Sequence, residues 1–410
     1  MTQEPIIVYG TTWCPDCQRA KTFFGEHRIH YTWVDIERDP TAVTYVEQVN
    51  NGNRSVPTIV FPDGDVMVEP SNAELAARLG LNMRASRTFY DVIIIGGGPT
   101  GLTSAIYTTR EGLNTLVIEK AALGGQIGAS TVVENFPGFD EGITGDELSA
   151  RLVRQAKRFG TEILEATEIR TITRNGKYLV VHTGSGDEYT ARAVLLATGS
   201  RYRRLDVDGE RDLIGINVHF CATCDGAFYK DKDVLVIGGG NSGFEEGLFL
   251  TKFARHVRIV EFLPEVKASR ILQDKVAARE DMDVVTNHAV RGFHIGEDGR
   301  LAGVAVEDRA TGQAYTWAYD GVFVFIGLSP NTGFVPVEIA RDRFGFLQTD
   351  ATLMTSMPDV FAAGDVRAGS TKQVVSAAGE GATAALMIRH YLESQGVGQR
   401  PTPEVVEAGI

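Results

Sequence analysis

Short apolar runs alternate with stretches of helical periodicity along most of this chain. The strands and helices predicted in the N-terminal unit lie at 6–9, 15–26, 31–35, 41–49, 59–61 and 72–79. Strands that alternate with amphipathic helices are typical of α/β folds. We therefore predict a small α/β domain at 1–82 and a polar linker at 83–88.

Two apolar strands farther along the chain each open into a glycine-rich turn. Asp91–Ile95 precedes Gly-Gly-Gly-Pro-Thr-Gly and a helical pattern, and Asp233–Ile237 precedes Gly-Gly-Gly-Asn-Ser-Gly. In each copy the next strand ends in an acid, Glu119 or Glu261, and both acids lie equally far from their glycine string. The chain therefore contains an internal repeat of a whole strand–helix–strand unit.

This repeated pattern is typical of dinucleotide-binding units. The first glycine makes the turn, the second lets the backbone approach a pyrophosphate, the third lets helix and strand pack, and the acid binds a ribose. Two copies predict two dinucleotides, a flavin and a nicotinamide. The candidate residues are Gly96, Gly98, Gly101 and Glu119 in the first copy and Gly238, Gly240, Asn241, Ser242, Gly243 and Glu261 in the second.

All four cysteines fall in two Cys-x-x-Cys pairs, Cys14–Cys17 and Cys221–Cys224. Two such pairs can hold zinc, but zinc ribbons place them about 15–20 residues apart, and here they lie in separate predicted domains. Disulfide exchange also needs an acid to protonate the leaving thiolate, and Asp225 follows the second pair directly. The alternative for Asp225 is a helix or turn cap.

Composition narrows the class of partner and compartment. The chain has 410 residues, a net charge of −13 and 43% hydrophobic residues, which argues against nucleic acid as a partner. It shows neither a secretory signal nor an apolar run of about 20 residues, so we expect a cytoplasmic protein without a membrane partner. In that compartment paired cysteines are more often catalytic or metal-binding than structural. The eight histidines show no metal-ligand spacing, and we predict no metal site.

Residues 88–398 resemble low-molecular-weight thioredoxin reductases and the reductase portion of alkyl hydroperoxide reductase flavoproteins. The motifs that carry the resemblance are Gly124-Gly125-Gln126, Glu134-Asn135-Phe136-Pro137-Gly138, Ala197-Thr198-Gly199, Cys221-Ala222-Thr223-Cys224-Asp225-Gly226, Phe361-Ala362-Ala363-Gly364-Asp365 and Lys372-Gln373-Val374. The resemblance implies a homodimer and two Rossmann-like domains. An FAD-binding domain at 89–202 and 325–398 would contain an inserted NAD(P)H-binding domain at 203–324. We call these the first and second nucleotide domains.

The same resemblance assigns roles to individual residues. The residues that it places on the flavin side are Gln126, Asn135, Gly364, Asp365, Lys372, Gln373 and Val374. It places Cys224 next to the flavin, makes Cys221 the nucleophile towards an external disulfide, and makes Asp225 the proton donor and acceptor. His219 either tunes that thiol or packs locally.

The segment after Glu261 bears on the choice of nicotinamide. Reductases that use NADPH carry a cluster of His and Arg there, whereas this chain has Glu261-Phe-Leu-Pro-Glu-Val-Lys267, as in the hydroperoxide reductase flavoproteins. An acid at the strand end binds a 2′-hydroxyl and repels a 2′-phosphate. We therefore expect NADH preference, with NADPH possible and Lys267 as the one phosphate partner. The alternative is that Glu261 merely caps the strand.

The N-terminal domain resembles glutaredoxins, and most closely their mycoredoxin-like branch. The resemblance is carried by Thr12-Trp13-Cys14-Pro15-Asp16-Cys17 and by Gly52-Asn53-Arg54-Ser55-Val56-Pro57-Thr58. It implies a thioredoxin-like fold in which Cys14 is the nucleophile at a helix N-terminus, Cys17 resolves the mixed disulfide and Pro57 is a cis-proline. Arg54 is either functional or an ordinary surface charge.

Together these features predict an FAD-dependent, NADH-preferring disulfide reductase. Electrons would pass from NADH through FAD to Cys221/Cys224, then to Cys14/Cys17 of the same or the other subunit, and then to an external disulfide. That acceptor is a peroxiredoxin, a mixed disulfide or a thioredoxin-like protein. The alternatives are an NADPH-dependent thioredoxin reductase acting on a separate thioredoxin, and a flavin redox sensor without turnover.

Overall fold

The computed structural model describes residues 5–130, 132–133 and 135–397, and for Ala129, Thr223 and Cys224 it describes the backbone alone. Glu134 and residue 398, the expected end of the first nucleotide domain, lie outside these ranges. Within them, no helix has both the length and the apolar character needed to cross a bilayer.

The N-terminal domain is a four-stranded sheet with helices packed against it. Its elements are β1 (Ile6–Gly10), α1 (Pro15–Glu26), β2 (Tyr31–Asp35), α2 (Pro40–Val49), β3 (Thr58–Val60), β4 (Val66–Val68) and α3 (Asn72–Arg78). The strand order is β2-β1-β3-β4, with β1 and β2 parallel and the other pairs antiparallel. This confirms the expected thioredoxin-like fold, although the sequence pattern did not predict the short strand β4.

The two nucleotide domains are interleaved along the chain. The first begins with β5 (Phe89–Ile95), α4 (Pro99–Arg110), β6 (Thr115–Ile118), α5 (Gly145–Arg158), β7 (Glu162–Leu164), β8 (Ile169–Asn175), β9 (Tyr178–Thr183), β10 (Glu188–Leu196) and β11 (Ser200–Tyr202). The second contains α6 (Glu210–Leu213), β12 (Val218–His219), α7 (Ala222–Asp225), β13 (Asp233–Ile237), α8 (Asn241–Leu250), β14 (His256–Val260), α9 (Arg270–Ala277), β15 (Met282–Val285), β16 (His288–Ile295), β17 (Leu301–Asp308), β18 (Ala314–Trp317) and β19 (Gly321–Val324). The chain then returns with β20 (Leu328–Pro330), β21 (Val360–Ala362) and α10 (Val374–Ser394).

Strand pairing reproduces the internal repeat in three dimensions. Four parallel strands run in the order β7-β6-β5-β10 in the first nucleotide domain and β15-β14-β13-β19 in the second. The late strand β21 pairs with β10, so that Val360 lies opposite Val194 and the returning chain completes the first sheet. One domain is thus inserted in the other, and β11 pairs with β20 where the chain crosses between them.

Strand β5 shows why these sheets are apolar on both faces. Ile93 and Ile95 enter one buried cluster, while Val92 and Ile94 enter another on the opposite face. A parallel sheet covered on both sides needs such continuous apolar strands. Full burial of each of these side chains contributes about 1.5–3 kcal/mol.

Asn82, at the end of the N-terminal domain, and the linker residue Ser86 are bound along the first nucleotide domain. The side-chain amide of Asn82 donates to the Ile163 carbonyl at 2.8 Å, and the Asn82 carbonyl accepts from the Glu165 N–H at 2.8 Å. The Ser86 hydroxyl donates to Glu162 at 2.9 Å. These bonds keep the linker from acting as a free tether.

We expect Gly101→Ala to destabilise the first nucleotide domain by about 2 kcal/mol or more, because overpacking a tight contact forces the backbone to shift. A Cβ on Gly101 of α4 would overlap the carbonyl oxygen of Gly96. Bound flavin and denaturant unfolding measure the effect. The control is Gly379→Ala on α10, where no described atom lies within 4 Å of an added Cβ; an equal loss in both variants would contradict the steric argument.

Candidate active site

The first glycine string forms a cradle between β5 and α4. Gly96 has φ +111°, which L side chains rarely adopt, and turns the chain out of the strand. Gly98 is the N-cap residue of α4, and glycine has no side chain with which to cap the helix. The first backbone N–H groups of a helix have no intrahelical partner, and they form a binding site for anions such as a pyrophosphate.

The second string forms the same cradle between β13 and α8. Gly238 has φ +123°, and Gly240 is the N-cap residue of α8. A Cβ on Gly243 would overlap the Gly238 carbonyl, just as a Cβ on Gly101 would overlap the Gly96 carbonyl. Asn241 accepts the Ser269 N–H at 2.8 Å, and Ser242 is exposed beside it.

The two strand-end acids hold their cradles in matching ways. Glu119 accepts the N–H groups of Gly97 at 2.7 Å and Ala121 at 2.8 Å. Glu261 accepts those of Gly239 at 2.5 Å and Leu263 at 2.9 Å. Each acid therefore does more than end a strand, because its carboxylate fixes the glycine turn that it faces.

The residues expected on the flavin side come from both segments of the first nucleotide domain. The side-chain amide of Asn135 donates to Gln373 at 3.1 Å, although the two residues are far apart in sequence. Gln373 is the N-cap residue of α10, and Val374 begins that helix. Gln126 lies in a 3₁₀ turn, where its side chain donates to the Ser200 carbonyl.

Gly364 and Asp365 form the other wall of this region. Burial raises the pKa of Asp365, while Lys372 and Ser370 oppose that shift. The Lys372 ammonium donates to the Asp365 carbonyl at 2.6 Å and lies 4.1 Å from the centre of the Phe346 ring. Asp365 is thus fixed by its own loop and faces a largely desolvated space.

An ion pair supports that wall from behind. Arg367 lies 2.6 Å from Glu380, whose carboxylate also accepts the Gly364 N–H at 2.7 Å. Burial alone raises the pKa of Glu380, but Arg367 and the Gly364 N–H outweigh it and lower the pKa below its ordinary value.

The second cysteine pair adjoins a buried polar cluster. Cys221 is disulfide-bonded, and the side chain of Cys224 lies outside the described side chains. Asp225 lies 3.3 Å from Nδ1 of His219, whose Nε2 is 2.6 Å from the Tyr229 hydroxyl. Among the described contacts Asp225 makes no side-chain cap bond to the turn that it precedes, so the cap interpretation is not supported.

Tyr202 links this cluster to the flavin side, and sequence reasoning missed it. Burial, followed by the charges of Asp365, Glu246 and Asp225, raises the pKa of Tyr202 to about 12. Its ring stacks on Phe220 at 5.2 Å. Phe220 directly precedes Cys221, so this ring contact joins the dithiol segment to β11 of the first nucleotide domain.

The N-terminal cysteine pair lies at the start of α1. Cys14 is its N-cap residue, and its sulfur accepts the Cys17 N–H at 3.1 Å. Burial raises the pKa of Cys17 to about 12, helped by its hydrogen bond to Cys14. The Val56–Pro57 peptide is cis, as predicted, and the Cys14 thiol donates to the Val56 carbonyl at 3.5 Å.

Arg54 agrees with one of its two interpretations from sequence, and Arg309 was not predicted. Arg54 pairs with Glu47 and its side chain is 67% exposed, which fits a surface charge. Lys267 is not the one cation near the end of β14, because Arg309 stacks on Phe262 at 3.8 Å and donates to its carbonyl at 2.7 Å. Arg309 comes from the turn between β17 and β18, so sequence spacing gave no signal for it.

No group of three or more His, Cys, Asp and Glu side chains is arranged to hold a metal ion within the described residues.

The fold and the site define a class of enzyme in which two dinucleotide cradles serve a disulfide-forming cysteine pair.

Comparisons with known proteins identify the family. Residues 90–381 match the family model described as pyridine nucleotide-disulphide oxidoreductase, and residues 6–67 match the glutaredoxin model. The chain is 42% identical to the thioredoxin reductase of Bacillus subtilis (strain 168) over 305 residues, which are 74% of this chain and 95% of that protein. This chain belongs to the pyridine nucleotide-disulphide oxidoreductase family, is a thioredoxin reductase-like enzyme, and carries an additional glutaredoxin domain.

Solved structures agree with this assignment. The crystal structure of thioredoxin reductase from Streptococcus pyogenes MGAS5005 matches with a TM-score of 0.70 at 39% identity, covering 75% of this chain and 100% of that one. Thioredoxin reductase from Lactococcus lactis in its FR conformation matches with a TM-score of 0.53 at 34% identity, covering 74% and 99%.

We expect Glu380→Gln to destabilise the first nucleotide domain at neutral pH by about 1–3 kcal/mol, the usual contribution of hydrogen bonds to a charged group. Because the folded pKa of Glu380 is lowered, its contribution is complete above the ordinary glutamate pKa of about 4.3 and is lost as pH falls through the folded value. Release of flavin in denaturant, measured from about pH 7 to about pH 3, should show a flatter acid limb in the variant. Exposed Glu141→Gln is the control, and parallel wild-type and Glu380→Gln curves would refute the effect.

Proposed function

We propose that this protein is an FAD-dependent, NADH-preferring disulfide reductase with a built-in glutaredoxin relay. The observation that carries the proposal is the pair of matching cradles, each closed by an acid on the second residue of its glycine string. One cradle adjoins a cysteine pair, and the fused domain supplies a second pair. These features support an electron path from nicotinamide through the flavin and both cysteine pairs to an external disulfide.

The first cradle fits FAD on the chemistry of its donor groups. The uncapped start of α4 suits the pyrophosphate, and Glu119 suits the ribose that extends from it. Gln126, Asn135, Asp365 and Lys372 come from separate parts of the chain to the flavin side. Bound FAD supplies the group that accepts a hydride and passes two electrons to a disulfide.

Asp225 is placed to handle the proton of the second cysteine pair. It follows that pair directly, and its backbone N–H donates to the Cys221 carbonyl at 3.1 Å. We propose the His219 tautomer whose proton is on Nδ1, which lies 3.3 Å from Asp225, so that Nε2 accepts from the Tyr229 hydroxyl at 2.6 Å. His219 in this tautomer orients Asp225, while Asp225 protonates the leaving thiolate and later accepts that proton back.

The N-terminal pair divides into an attacking and a resolving thiol. The Cys17 N–H, at the positive end of α1, is placed for negative charge on the Cys14 sulfur. The high pKa of Cys17 keeps it a thiol at neutral pH. Asp16 pairs with Arg19 at 3.1 Å, which offsets part of the charge that would oppose a Cys14 thiolate.

Transfer between the two pairs requires the second nucleotide domain to move. Next to the flavin, the Cys221/Cys224 pair cannot also meet Cys14. The lower TM-score of the Lactococcus lactis structure in its FR conformation, at an identity close to that of the Streptococcus pyogenes structure, supports two domain arrangements among relatives. We propose a rotation of this kind here, in a cytoplasmic homodimer, with the relay within or between subunits.

The names of the relatives favour a second candidate, in which a separate thioredoxin receives the electrons and the fused domain is an accessory. A peroxiredoxin and a mixed disulfide are the other acceptors that we propose for the relay. A redox sensor without turnover needs only one cysteine pair, and a Cys17→Ser protein with full function would favour it.

The relay predicts that NADH alone reduces all four cysteines. Oxidised holoprotein is mixed anaerobically with more than about three equivalents of NADH per subunit, which supply the electrons for the flavin and both disulfides. The sample is then quenched into denaturant with an alkylating agent and analysed by peptide mass. We expect labels on Cys14 and Cys17 as well as on Cys221 and Cys224. Cys221→Ser should abolish labelling of the N-terminal pair. Labelling confined to Cys221 and Cys224 in the wild type would instead favour a separate thioredoxin.

The acid at the end of β14 predicts the nicotinamide preference. We expect a higher kcat/KM for NADH than for NADPH. Glu261→Gln should lower the ratio of these two kcat/KM values by about 10-fold or more, since a hydrogen bond to a charged group contributes about 1.5–3 kcal/mol. Arg309→Ala should lower kcat/KM for NADPH selectively. The control is Glu265→Gln, an exposed acid of the same segment. Equal wild-type efficiency with both nucleotides would rule out the preference.

A further inference from the structure

Arg28 occupies a backbone position that favours glycine. Helix α1 ends in a Schellman motif, in which the Arg28 N–H donates to Gly25 at 3.1 Å and the Ile29 N–H donates to Phe24 at 2.9 Å. Arg28 is the left-handed residue of this motif, with φ 53°. A residue with a Cβ is destabilised in the left-handed conformation, whereas glycine, which has no Cβ, adopts it readily. An arginine in this unfavourable backbone conformation therefore suggests a role for its side chain.

The Arg28 side chain crosses from the N-terminal domain to the first nucleotide domain. Its guanidinium donates to the carbonyls of Leu123 at 3.3 Å and of Gly125. A Cβ on Gly128 would overlap the same guanidinium. We call the segment 123–128 the docking loop. It binds Arg28 with two backbone carbonyls, and the absence of a side chain on Gly128 leaves room for the guanidinium.

Charge and burial favour arginine at this contact. Burial lowers the pKa of Arg28, while Asp146 and Glu119 of the first nucleotide domain oppose that shift. A guanidinium stays charged under such conditions and offers donors in a fixed fork. Two carbonyl acceptors and two nearby acids thus favour the positively charged guanidinium of Arg28 at this position.

A backbone hydrogen bond and a cleft adjoin the Arg28 contact. The Ala122 N–H donates to the Glu26 carbonyl at 2.9 Å. Beside this bond lies a half-open cleft of about 240 Å³, lined by His27, Ile29, Leu79, Leu81, Ala121, Ala122, Leu123 and Glu165. Atoms that line such a gap lack van der Waals partners on one side. Arg28 adds a charged attachment at this surface to the backbone bond of Ala122 and to the bonds of Asn82.

The docked position directs the N-terminal cysteines away from the docking loop. Arg28 follows the C-terminal end of α1, whereas Cys14 caps the N-terminal end. The helix has 12 residues and is about 18 Å long. Trp13, next to Cys14, is 67% exposed. When the domain is docked through Arg28, the N-terminal end of α1, with Cys14, therefore lies away from the docking loop.

We propose that Arg28 is a positioning residue that fixes the N-terminal domain on the docking loop, so that the moving Cys221/Cys224 pair meets Cys14 at a constant place. This rests on the proposed relay. In that step the reduced Cys221/Cys224 dithiol passes two electrons to the Cys14–Cys17 disulfide, one disulfide replaces the other, and the two thiol protons are conserved. A fixed acceptor raises the effective concentration of one pair near the other.

The test compares five variants of the FAD-loaded full chain, namely two single changes at the contact, their double variant and two controls. Arg28→Ala removes the guanidinium, and Gly128→Ala displaces it from the other side. The control for the first is Arg38→Ala, whose side chain is 86% exposed and pairs only within its own domain, with Asp35. The control for the second is Gly333→Ala, where no described atom lies within 4 Å of an added Cβ. The measurements are the rate of Cys14 labelling after mixing with NADH, the rates of flavin reduction and Cys221 labelling, and proteolysis of the linker.

We expect both test variants to slow Cys14 labelling by about tenfold or more, as the loss of effective concentration implies. Flavin reduction and Cys221 labelling should keep their rates, and cleavage in the linker should become faster. The double variant should be no slower than either single one. The two controls should match the wild type.

Three results would overturn the proposal in distinguishable ways. A wild-type protein in which Cys14 is never labelled would refute the relay, and the positioning role with it. Wild-type labelling that Arg28→Ala leaves unchanged or accelerates would refute the positioning role alone. Slower labelling in Arg28→Ala but not in Gly128→Ala would also contradict it, because both changes break the same contact.

Discussion

Both nucleotide cradles depend on a helix that begins on glycine. Gly98 and Gly240 are the N-cap residues of α4 and α8, and neither has a side chain with which to bind the first backbone N–H groups. Those groups carry the positive end of the helix dipole. A serine or aspartate would satisfy them but would fill the space that a pyrophosphate needs. The fold thus keeps two incomplete helix ends, which a ligand completes.

The strand-end acids keep those incomplete ends in shape without a ligand. Glu119 and Glu261 each accept two backbone N–H groups, and a carboxylate has about four acceptor positions. Acceptors therefore remain for ribose hydroxyls while the turn is already held. The same bonds leave no room for a side chain at Gly97 or Gly239, since a Cβ there would crowd the acid. Three consecutive glycines in each string follow from this arrangement.

The sequence predicts those parts of the protein that are encoded by spacing along the chain. The glycine strings, Glu119, Glu261, the cysteine pairs and the cis-proline all belong to local motifs of fixed length, and apolar periodicity locates most strands and helices. Tyr202, Arg309 and Arg28 act across domains or between a turn and a distant strand. Their contacts depend on how strands pair and domains dock, and neither the strand nor the helix period contains that information.

The inserted domain also has a consequence for how the protein is made. Strand β10 needs β21 beside it, and Val194 must wait for Val360 to be synthesised. At about 5–20 residues per second, that delay is roughly 10–30 s. The N-terminal domain and the inserted domain can each complete their sheets on the growing chain. The domain between them is left with the end of β10, at 194–196, unpaired on one side, and this apolar edge is exposed to chaperones and aggregation until β21 has been synthesised.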